Sequence, residues 1–210
     1  MTAPPPVPHR GRFVTFEGID GAGKSTHVEW FAQRLRDAGH PVRLSREPGG
    51  TPLAESVRAL MLHAEMGATA ELLLAFAARA DHVERLIRPA LGAGEWVLCD
   101  RFTDSTFAYQ GGGRGLDWSL IETLEARTIG GLQPDLTLWF DIPAHVAAER
   151  RAAARAADRF EAEAPAFFDR VREGYRRRQQ AHPARFVRID GLQSIDAVRA
   201  QLEPVLAGLR

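Results

Sequence analysis

The segment 18–25 constrains this chain more than any other, because it reads G-x-x-x-x-G-K-S between a short apolar run and a helical pattern. Glycines in such a loop allow positive φ angles and let backbone N–H groups point towards phosphate oxygens. The start of the following helix adds the positive end of its dipole. The alternative is a chance glycine-rich turn. Because both flanks have the expected character, we interpret 18–25 as a phosphate-binding loop for a nucleotide.

Lys24 occupies the lysine position of this pattern, and it is the only lysine among 27 basic residues. Arginine is a wide planar fork, whereas lysine is a compact ammonium on a flexible stem, and the loop has room for the second. We therefore predict that Lys24 contacts the β- and γ-phosphates and that the Ser25 hydroxyl holds Mg²⁺. A second lysine would be needed for the Asn-Lys-x-Asp motif of guanine-specific GTPases, so that class is disfavoured.

The composition excludes several other classes of function. The 27 basic and 27 acidic residues balance, so the chain has no global field for nucleic acid or for an anionic membrane. No run approaches the roughly 20 apolar residues of a membrane span, and the single cysteine, Cys99, lies in an apolar run. Residues 1–11 are Pro-rich and lack the apolar stretch of a signal peptide, so we predict a disordered tail and a cytoplasmic protein.

Five short apolar segments predict buried parallel strands at 13–16, 42–44, 96–99, 136–140 and 186–189. Helical patterns alternate with them, including one long helix over 69–93 that bends or ends near Pro89. This alternation predicts an α/β fold in which helices cover both faces of a five-stranded parallel sheet. We find no linker, so 12–210 is expected to be one domain.

The Ala- and Arg-rich stretch at about 148–162 differs from the rest of the chain. It has two interpretations. One is a solvated amphipathic helix, and the other is a mobile Arg-bearing lid over an anionic site.

Charged residues follow two of the predicted strands, at the edge where α/β sheets bind ligands. Arg46 follows the second strand, and Asp100 and Arg101 follow the third. A single arginine there is usually a surface salt-bridge partner, but two beside a phosphate-binding loop favour anion binding. Asp100 is well placed to orient Mg²⁺ or its bound waters.

The ordered set of motifs resembles the thymidylate kinase family. It comprises F-E-G-I-D-G-A-G-K-S-T at 16–26, R-E-P-G-G-T at 46–51, F-A-A-R at 76–79, D-R-F at 100–102 leading to A-Y-Q-G at 108–111, and D-R-F-E at 158–161. The resemblance implies a P-loop kinase fold that transfers the γ-phosphoryl of ATP to dTMP, giving dTDP and ADP, with Mg²⁺. It also implies a homodimer.

The resemblance assigns residues to three roles. The expected ATP-binding residues are Gly18, Ile19, Asp20, Gly21, Ala22, Gly23, Lys24, Ser25 and Thr26. The expected dTMP-binding residues are Arg46, Pro48, Leu53, Phe76, Arg79, Arg101, Ser105, Tyr109 and Gln110. The expected catalytic residues are Lys24, Arg101, Asp20, Arg151 and Arg155.

In this assignment Phe76 stacks on thymine, although plain core packing is the alternative, and Arg79 donates hydrogen bonds to the base. Tyr109 packs against the deoxyribose and disfavours a 2′-hydroxyl. Family members carry the catalytic arginine either in the phosphate-binding loop or in the lid. The loop position here is Gly21, so the lid type fits, with Arg150, Arg151, Arg155 and Arg159 as candidates. Spacing does not identify which one acts, and we favour Arg151 and Arg155.

Two other functions stay open. One is a P-loop kinase for a different nucleoside monophosphate or a nucleoside, and the other is a nucleotide-binding regulator without catalysis. Only the acceptor pocket distinguishes a thymidylate kinase from the first alternative. The presence of Lys24, Ser25, Asp100, Arg101 and the lid arginines argues against the second.

Overall fold

The computed structural model describes residues 11–152, 159–160 and 163–209. One parallel sheet with strand order β2-β3-β1-β4-β5 forms its centre, which confirms the predicted five-stranded sheet. The strands are β1 Phe13–Glu17, β2 Val42–Arg46, β3 Trp96–Asp100, β4 Leu136–Asp141 and β5 Phe186–Asp190. Each runs one or two residues further than its apolar segment, because a polar residue at the carboxyl end still pairs with a neighbouring strand.

Nine α-helices surround the sheet in the described part of the chain. They are α1 Lys24–Asp37, α2 Pro52–His63, α3 Ala68–His82, α4 Arg88–Gly92, α5 Thr103–Thr106, α6 Trp118–Thr128, α7 Ala144–Ala152, α8 Pro165–Ala181 and α9 Ile195–Leu209. Two π-helical segments, Val83–Ile87 and Phe107–Gly113, connect α3 to α4 and continue α5.

Helices cover both faces of the sheet, as alternation along the strands shows. Val14 and Leu98 belong to a core cluster that also contains residues of α1, α8 and α9. Their chain neighbours Phe13 and Val97 belong to a second cluster with Ile87 and other residues near α4. Apolar side chains of β1 and β3 are therefore buried on both sides, as expected for a parallel strand.

The helical run 68–92 matches the predicted long helix with one internal change. A π-helical turn at Val83–Ile87 precedes Pro89, which is in the first turn of α4. Proline has no backbone N–H and cannot continue the i to i−4 ladder. A wider π turn lets the chain pass this point without ending the helix.

The carboxyl ends of the strands place charged residues at one edge of the sheet. Glu17, Arg46, Asp100 and Asp141 end the first four strands, and the loop 18–23 leaves this edge after β1. Gly11, assigned to the tail, is buried, and its N–H donates to Leu91 O at 3.4 Å. Within the described residues no helix has the length and apolar character to cross a membrane.

Candidate active site

The loop between β1 and α1 requires glycine at specific positions. Gly18, Gly21 and Gly23 have φ angles of 136°, 88° and 88°. A Cβ on Gly18 would lie 2.4 Å from Phe140 O, and one on Gly21 would lie 2.6 Å from Ala147 O. Since Gly23 caps α1 without a side-chain hydrogen bond, the first N–H groups of the helix keep their capacity to bind an anion.

The remaining loop residues divide by burial. The side chains of Ile19 and Ala22 are buried in the core, so only their backbone groups can contact a ligand. Ser25 and Thr26 are exposed at the start of α1. The loop therefore offers backbone N–H groups and two hydroxyl groups to phosphate.

Lys24 lies inside the loop and is 5% exposed. Its Nζ donates to Gly18 O at 3.1 Å and lies 3.4 Å from Ile19 O. Burial, and then the charge of Arg101, lower the pKa of Lys24. The loop carbonyls thus hold a poorly solvated ammonium beside the region that phosphate would occupy.

Asp100 and Ser25 are the residues that could hold Mg²⁺. The Oδ1 atom of Asp100 is buried and accepts no hydrogen bond, although Lys24 Nζ lies 3.8 Å away. The described residues contain no cluster of three or more His, Cys, Asp or Glu side chains suited to a metal. Mg²⁺ usually takes one or two carboxylates and completes its shell with water and substrate phosphates, so a carboxylate oxygen without a hydrogen bond and a hydroxyl fit it.

Arg101 lies between the phosphate-binding loop and a neighbouring cavity, which is described below. Its guanidinium donates to Asp20 Oδ1 at 2.9 Å, and to the hydroxyls of Tyr109 at 3.1 Å and Ser105 at 3.2 Å. Its φ is 72°, a costly value for a residue with a side chain. The contacts on both sides of the guanidinium hold it in this backbone conformation.

The ionisation of Asp20 follows from this contact. Burial opposes its charge, but Arg101 and Lys24 outweigh burial and hold the pKa of Asp20 well below its usual range. For the Arg101 guanidinium, burial is again outweighed, chiefly by Asp20, and its pKa is raised. Both groups are therefore charged at neutral pH.

Glu17 holds the backbone that follows Arg101 in place, and the sequence analysis did not predict this role. It is fully buried and accepts from Phe102 N at 2.7 Å, Ser105 Oγ at 2.6 Å and the Tyr175 hydroxyl at 3.0 Å. Burial, and then the charge of Asp104, raise the pKa of Glu17 to about 7. A carboxylate at the end of an apolar strand, directly before the phosphate-binding loop, was the sequence feature that could have predicted it.

A cavity beside Arg101 collects most of the predicted acceptor residues. The predicted residues on its wall are Asp20, Pro48, Arg79, Arg101, Ser105, Tyr109 and Gln110. The wall residues that were not predicted are Glu47, Arg58, Met61, Leu62, Ala75, Phe102, Thr106 and Phe160. The cavity therefore combines a cationic end at Arg101 and Arg58 with apolar and hydrogen-bonding walls.

The comparisons with known proteins agree with this arrangement. The thymidylate kinase family model matches residues 16–202. This chain belongs to the thymidylate kinase family.

Curated thymidylate kinases match over nearly their whole length. The one from Cupriavidus metallidurans is 56% identical over 200 residues, covering 95% of this chain and all of that protein. The one from Burkholderia vietnamiensis is 55% identical over 204 residues, covering 95% and 99%. A crystal structure of thymidylate kinase from Ehrlichia chaffeensis superposes with a TM-score of 0.76 at 37% identity, covering 96% of this chain and 99% of that one.

Arg79 reaches the acceptor cavity of this thymidylate kinase family member from α3. Its Nε donates to Glu47 Oε2 at 2.7 Å and its Nη2 donates to Phe102 O at 3.1 Å. Its Nη1 is buried without a hydrogen-bond partner. His82 also contacts Glu47, at 3.0 Å from Nδ1 to Oε1. The chain thus holds Arg79 rigidly and leaves one donor free for a ligand.

Three predicted acceptor residues do not line the cavity. Phe76 is 2% exposed and packs in an apolar cluster, with the Arg79 guanidinium 5.0 Å from its ring centre. Leu53, in the first turn of α2, is 54% exposed. Arg46, at the end of edge strand β2, donates to Glu55 at 3.0 Å. A position in or beside the R-E-P-G-G-T and F-A-A-R motifs does not show which way these side chains point.

The lid candidates are only partly within the described residues. Arg150 donates to Gly191 O at 3.0 Å. Arg159 donates to Met61 O and to Glu71 Oε2, both at 2.8 Å. Arg155 and the side chain of Arg151 lie outside the described residues, so their assignment stays a prediction.

Proposed function

We propose that this chain transfers the γ-phosphoryl of ATP to the 5′-phosphate of dTMP, giving dTDP and ADP. The observation that carries the proposal is the contact between Arg101 and Asp20, which joins the phosphate-binding loop to the acceptor cavity within one hydrogen bond of 2.9 Å. A donor phosphate in the loop and an acceptor phosphate at Arg101 would then be adjacent. Membership of the thymidylate kinase family supports the same reaction.

The chemistry requires positioning and charge neutralisation more than proton transfer. An oxygen of the acceptor phosphate, already an anion, bonds to the γ-phosphorus as the bond to the bridging oxygen of ADP breaks. Lys24 and the loop N–H groups hold the donor phosphates, and Arg101, with Arg58 nearby, neutralises the acceptor phosphate. Arg46 is proposed to add to this field from the end of β2.

Mg²⁺, when bound, would neutralise negative charge on the donor phosphates. Ser25 and Asp100 would hold it, Asp100 directly or through water. A lid arginine, for which we keep Arg151 and Arg155, would complete the charge around the transferred group.

The acceptor base is proposed to lie against Arg79. Its unpartnered Nη1 can donate to a carbonyl of thymine, while Pro48 and Tyr109 contact the rest of the nucleoside. Phe76 would not contact the base, but its ring would pack against the guanidinium of Arg79 and hold it in position.

A homodimer in the cytoplasm is also proposed. Family membership supports the dimer, and α2, α3 and α6 carry exposed leucines that could contribute to its interface. They are Leu53, Leu60, Leu73 and Leu120. We expect no nucleic acid or membrane partner.

The test is a coupled ADP-release assay with ATP and Mg²⁺ against dTMP, dUMP, dCMP, AMP and thymidine. We expect dTMP to be the preferred acceptor, and Lys24→Ala to abolish turnover while the circular dichroism spectrum stays unchanged. Preference for another acceptor would overturn the substrate assignment. No acceptor-dependent turnover with any of the five would instead favour a nucleotide-binding regulator without catalysis.

A further inference from the structure

Glu71 is a buried carboxylate on which three side chains from two separate segments converge. It lies in the first turn of α3 and has no exposed surface. Gln110 Nε2 donates to its Oε1 at 2.7 Å, and Arg159 Nη1 donates to its Oε2 at 2.8 Å. Arg114 Nε lies 3.2 Å from the same Oε2. A carboxylate in the first turn of a helix is common, but one buried on three partners needs a further explanation.

The contact with Gln110 determines which end of that amide faces Glu71. An ionised carboxylate has no hydrogen to donate, so it must face the NH₂ group of Gln110. Glu71 also pairs with the guanidinium groups of Arg114 and Arg159. The Gln110 carbonyl oxygen therefore points away from Glu71, and because the side chain lines the acceptor cavity, this oxygen is what it can offer to a ligand.

Arg79 supplies the complementary group on the same cavity, since its Nη1 is a free donor. A donor beside an acceptor matches a base edge that carries a carbonyl next to a ring N–H. Thymine and uracil have such an edge. Cytosine presents an amino group and an unprotonated ring nitrogen there, so it would face like against like at both positions.

Glu71 also fixes the opposite wall of the cavity through Arg159. That arginine donates to Met61 O at 2.8 Å, and its guanidinium carbon lies 4.5 Å from the ring centre of Phe160. Met61 and Phe160 both line the cavity. Loss of the Glu71 charge would therefore loosen this wall and free Gln110 to rotate.

We propose that Glu71 is a positioning residue that sets base discrimination at the acceptor cavity, by holding the Gln110 carbonyl oxygen towards the ligand and Phe160 against it. The proposal deepens the proposed function and rests on it. It assigns selection against an aminopyrimidine to a carboxylate that does not itself touch the base.

The test compares kcat/KM for dTMP and dCMP in wild type, Glu71→Gln and Glu71→Asp. A glutamine at position 71 can donate as well as accept a hydrogen bond, so the Gln110 amide can rotate by about 180° and exchange its NH₂ and carbonyl groups. We expect the dTMP/dCMP ratio to fall by about tenfold or more, KM for dTMP to rise, and KM for ATP to stay within about twofold. Glu71→Asp keeps an acceptor-only group and should preserve the ratio while raising KM for dTMP. Glu84→Gln is the matched control, because Glu84 is exposed on the same helical run.

A second comparison separates positioning from general destabilisation. In a Gln110→Leu background, Glu71→Gln should no longer change the ratio, because the residue through which it acts is gone. An unchanged ratio in folded Glu71→Gln overturns the proposal. If Glu71→Gln does not fold, Gln110→Leu is the deciding variant. A wild-type dTMP/dCMP ratio in Gln110→Leu would also overturn the proposal.

The outcome also distinguishes this proposal from the proposed function. Wild-type turnover of dTMP is measured first, and its absence counts against the proposed function alone. Calorimetric binding of dTMP and dCMP to wild type and Glu71→Gln then gives the same ratio without turnover. If Glu71→Gln lowers the dTMP/dCMP affinity ratio as much as it lowers the kcat/KM ratio, the role of Glu71 is supported. An unchanged affinity ratio rejects that role.

Discussion

At the scale of single residues, the site depends on one buried cation in the phosphate-binding loop and on several buried carboxylates around it. The loop residues 18–25 combine a required backbone shape with a required cation, and Lys24 lies where the pattern places it. Glu17, Glu47 and Glu71 were missed for one physical reason. A carboxylate in an apolar strand, a loop or the first turn of a helix looks ordinary until the fold shows that it is buried.

We expect Lys24→Arg to be nearly as damaging as Lys24→Ala. The charge is preserved, but a guanidinium is too wide for a loop in which the ammonium contacts Gly18 O and Ile19 O. The measurement is kcat with ATP and dTMP, with a fall of about 100-fold or more expected. Arg43→Lys on β2, where the side chain is 52% exposed, should leave kcat unchanged. Substantial turnover by Lys24→Arg would show that charge alone suffices.

The raised pKa of Glu17 predicts how stability depends on pH. Its pKa is about 7 when folded, against an ordinary value of 4.5, so between these pH values the folded state binds more protons than the unfolded state. Stability from this group is present below about pH 4.5 and is lost as pH rises through about 7. Urea unfolding of wild type and Glu17→Gln at pH 5, 6, 7 and 8 measures the effect. The variant should gain stability relative to wild type as pH rises, and parallel curves would contradict this.

At the scale of elements, periodicity predicted the strands and the helices with long apolar stripes. It did not predict the π-helical segment Phe107–Gly113, which carries Tyr109 and Gln110 to the cavity. That segment is almost entirely buried, so no amphipathic pattern marks it. Its shape depends on α8, which packs directly against it.

Gly174 is one point of close approach between these two elements. A Cβ there would lie 2.7 Å from Ala108 Cα, so Gly174→Ala must push α8 away from the segment that carries Tyr109. We expect a loss of about 1–3 kcal/mol in the free energy of unfolding and a raised KM for dTMP. Thermal unfolding and steady-state kinetics measure the two effects. Gly208→Ala in α9, where nothing lies within 4 Å, is the control and should be neutral or slightly stabilising.

At the scale of the whole molecule, buried charge joins parts that are distant in sequence. Asp104 is fully buried and accepts from Arg178 Nε at 2.7 Å and from Arg185 Nη1 at 2.7 Å. These contacts connect α5 to α8 and to the start of β5. The parallel sheet was predictable from the chain, but its strand order and this cluster depend on crossovers that no local pattern records.

Asp104→Asn should therefore destabilise the whole fold. It leaves the buried Arg178 and the Arg185 side chain, which is 12% exposed, facing a neutral amide. Breaking such a cluster costs about 3–5 kcal/mol. Chemical denaturation followed by tryptophan fluorescence and by circular dichroism should show one cooperative transition at lower denaturant. Asp196→Asn, whose side chain is 95% exposed, should have no measurable effect. A loss below about 1 kcal/mol in Asp104→Asn would mean that the cluster adds little to stability.

The solitary lysine gives the molecule an unusual response to acylating reagents. Lys24 carries the only side-chain primary amine in 210 residues, and that amine lies in the phosphate-binding loop at 5% exposure. Reagents that modify amines therefore have two targets, the α-amino group and this one. Ester-based dyes, surface immobilisation and aldehyde cross-linking either attach at the N-terminus or occupy the loop that binds phosphate. Protection of Lys24 by ATP would then read out nucleotide binding directly, as the loss of a single labelled peptide.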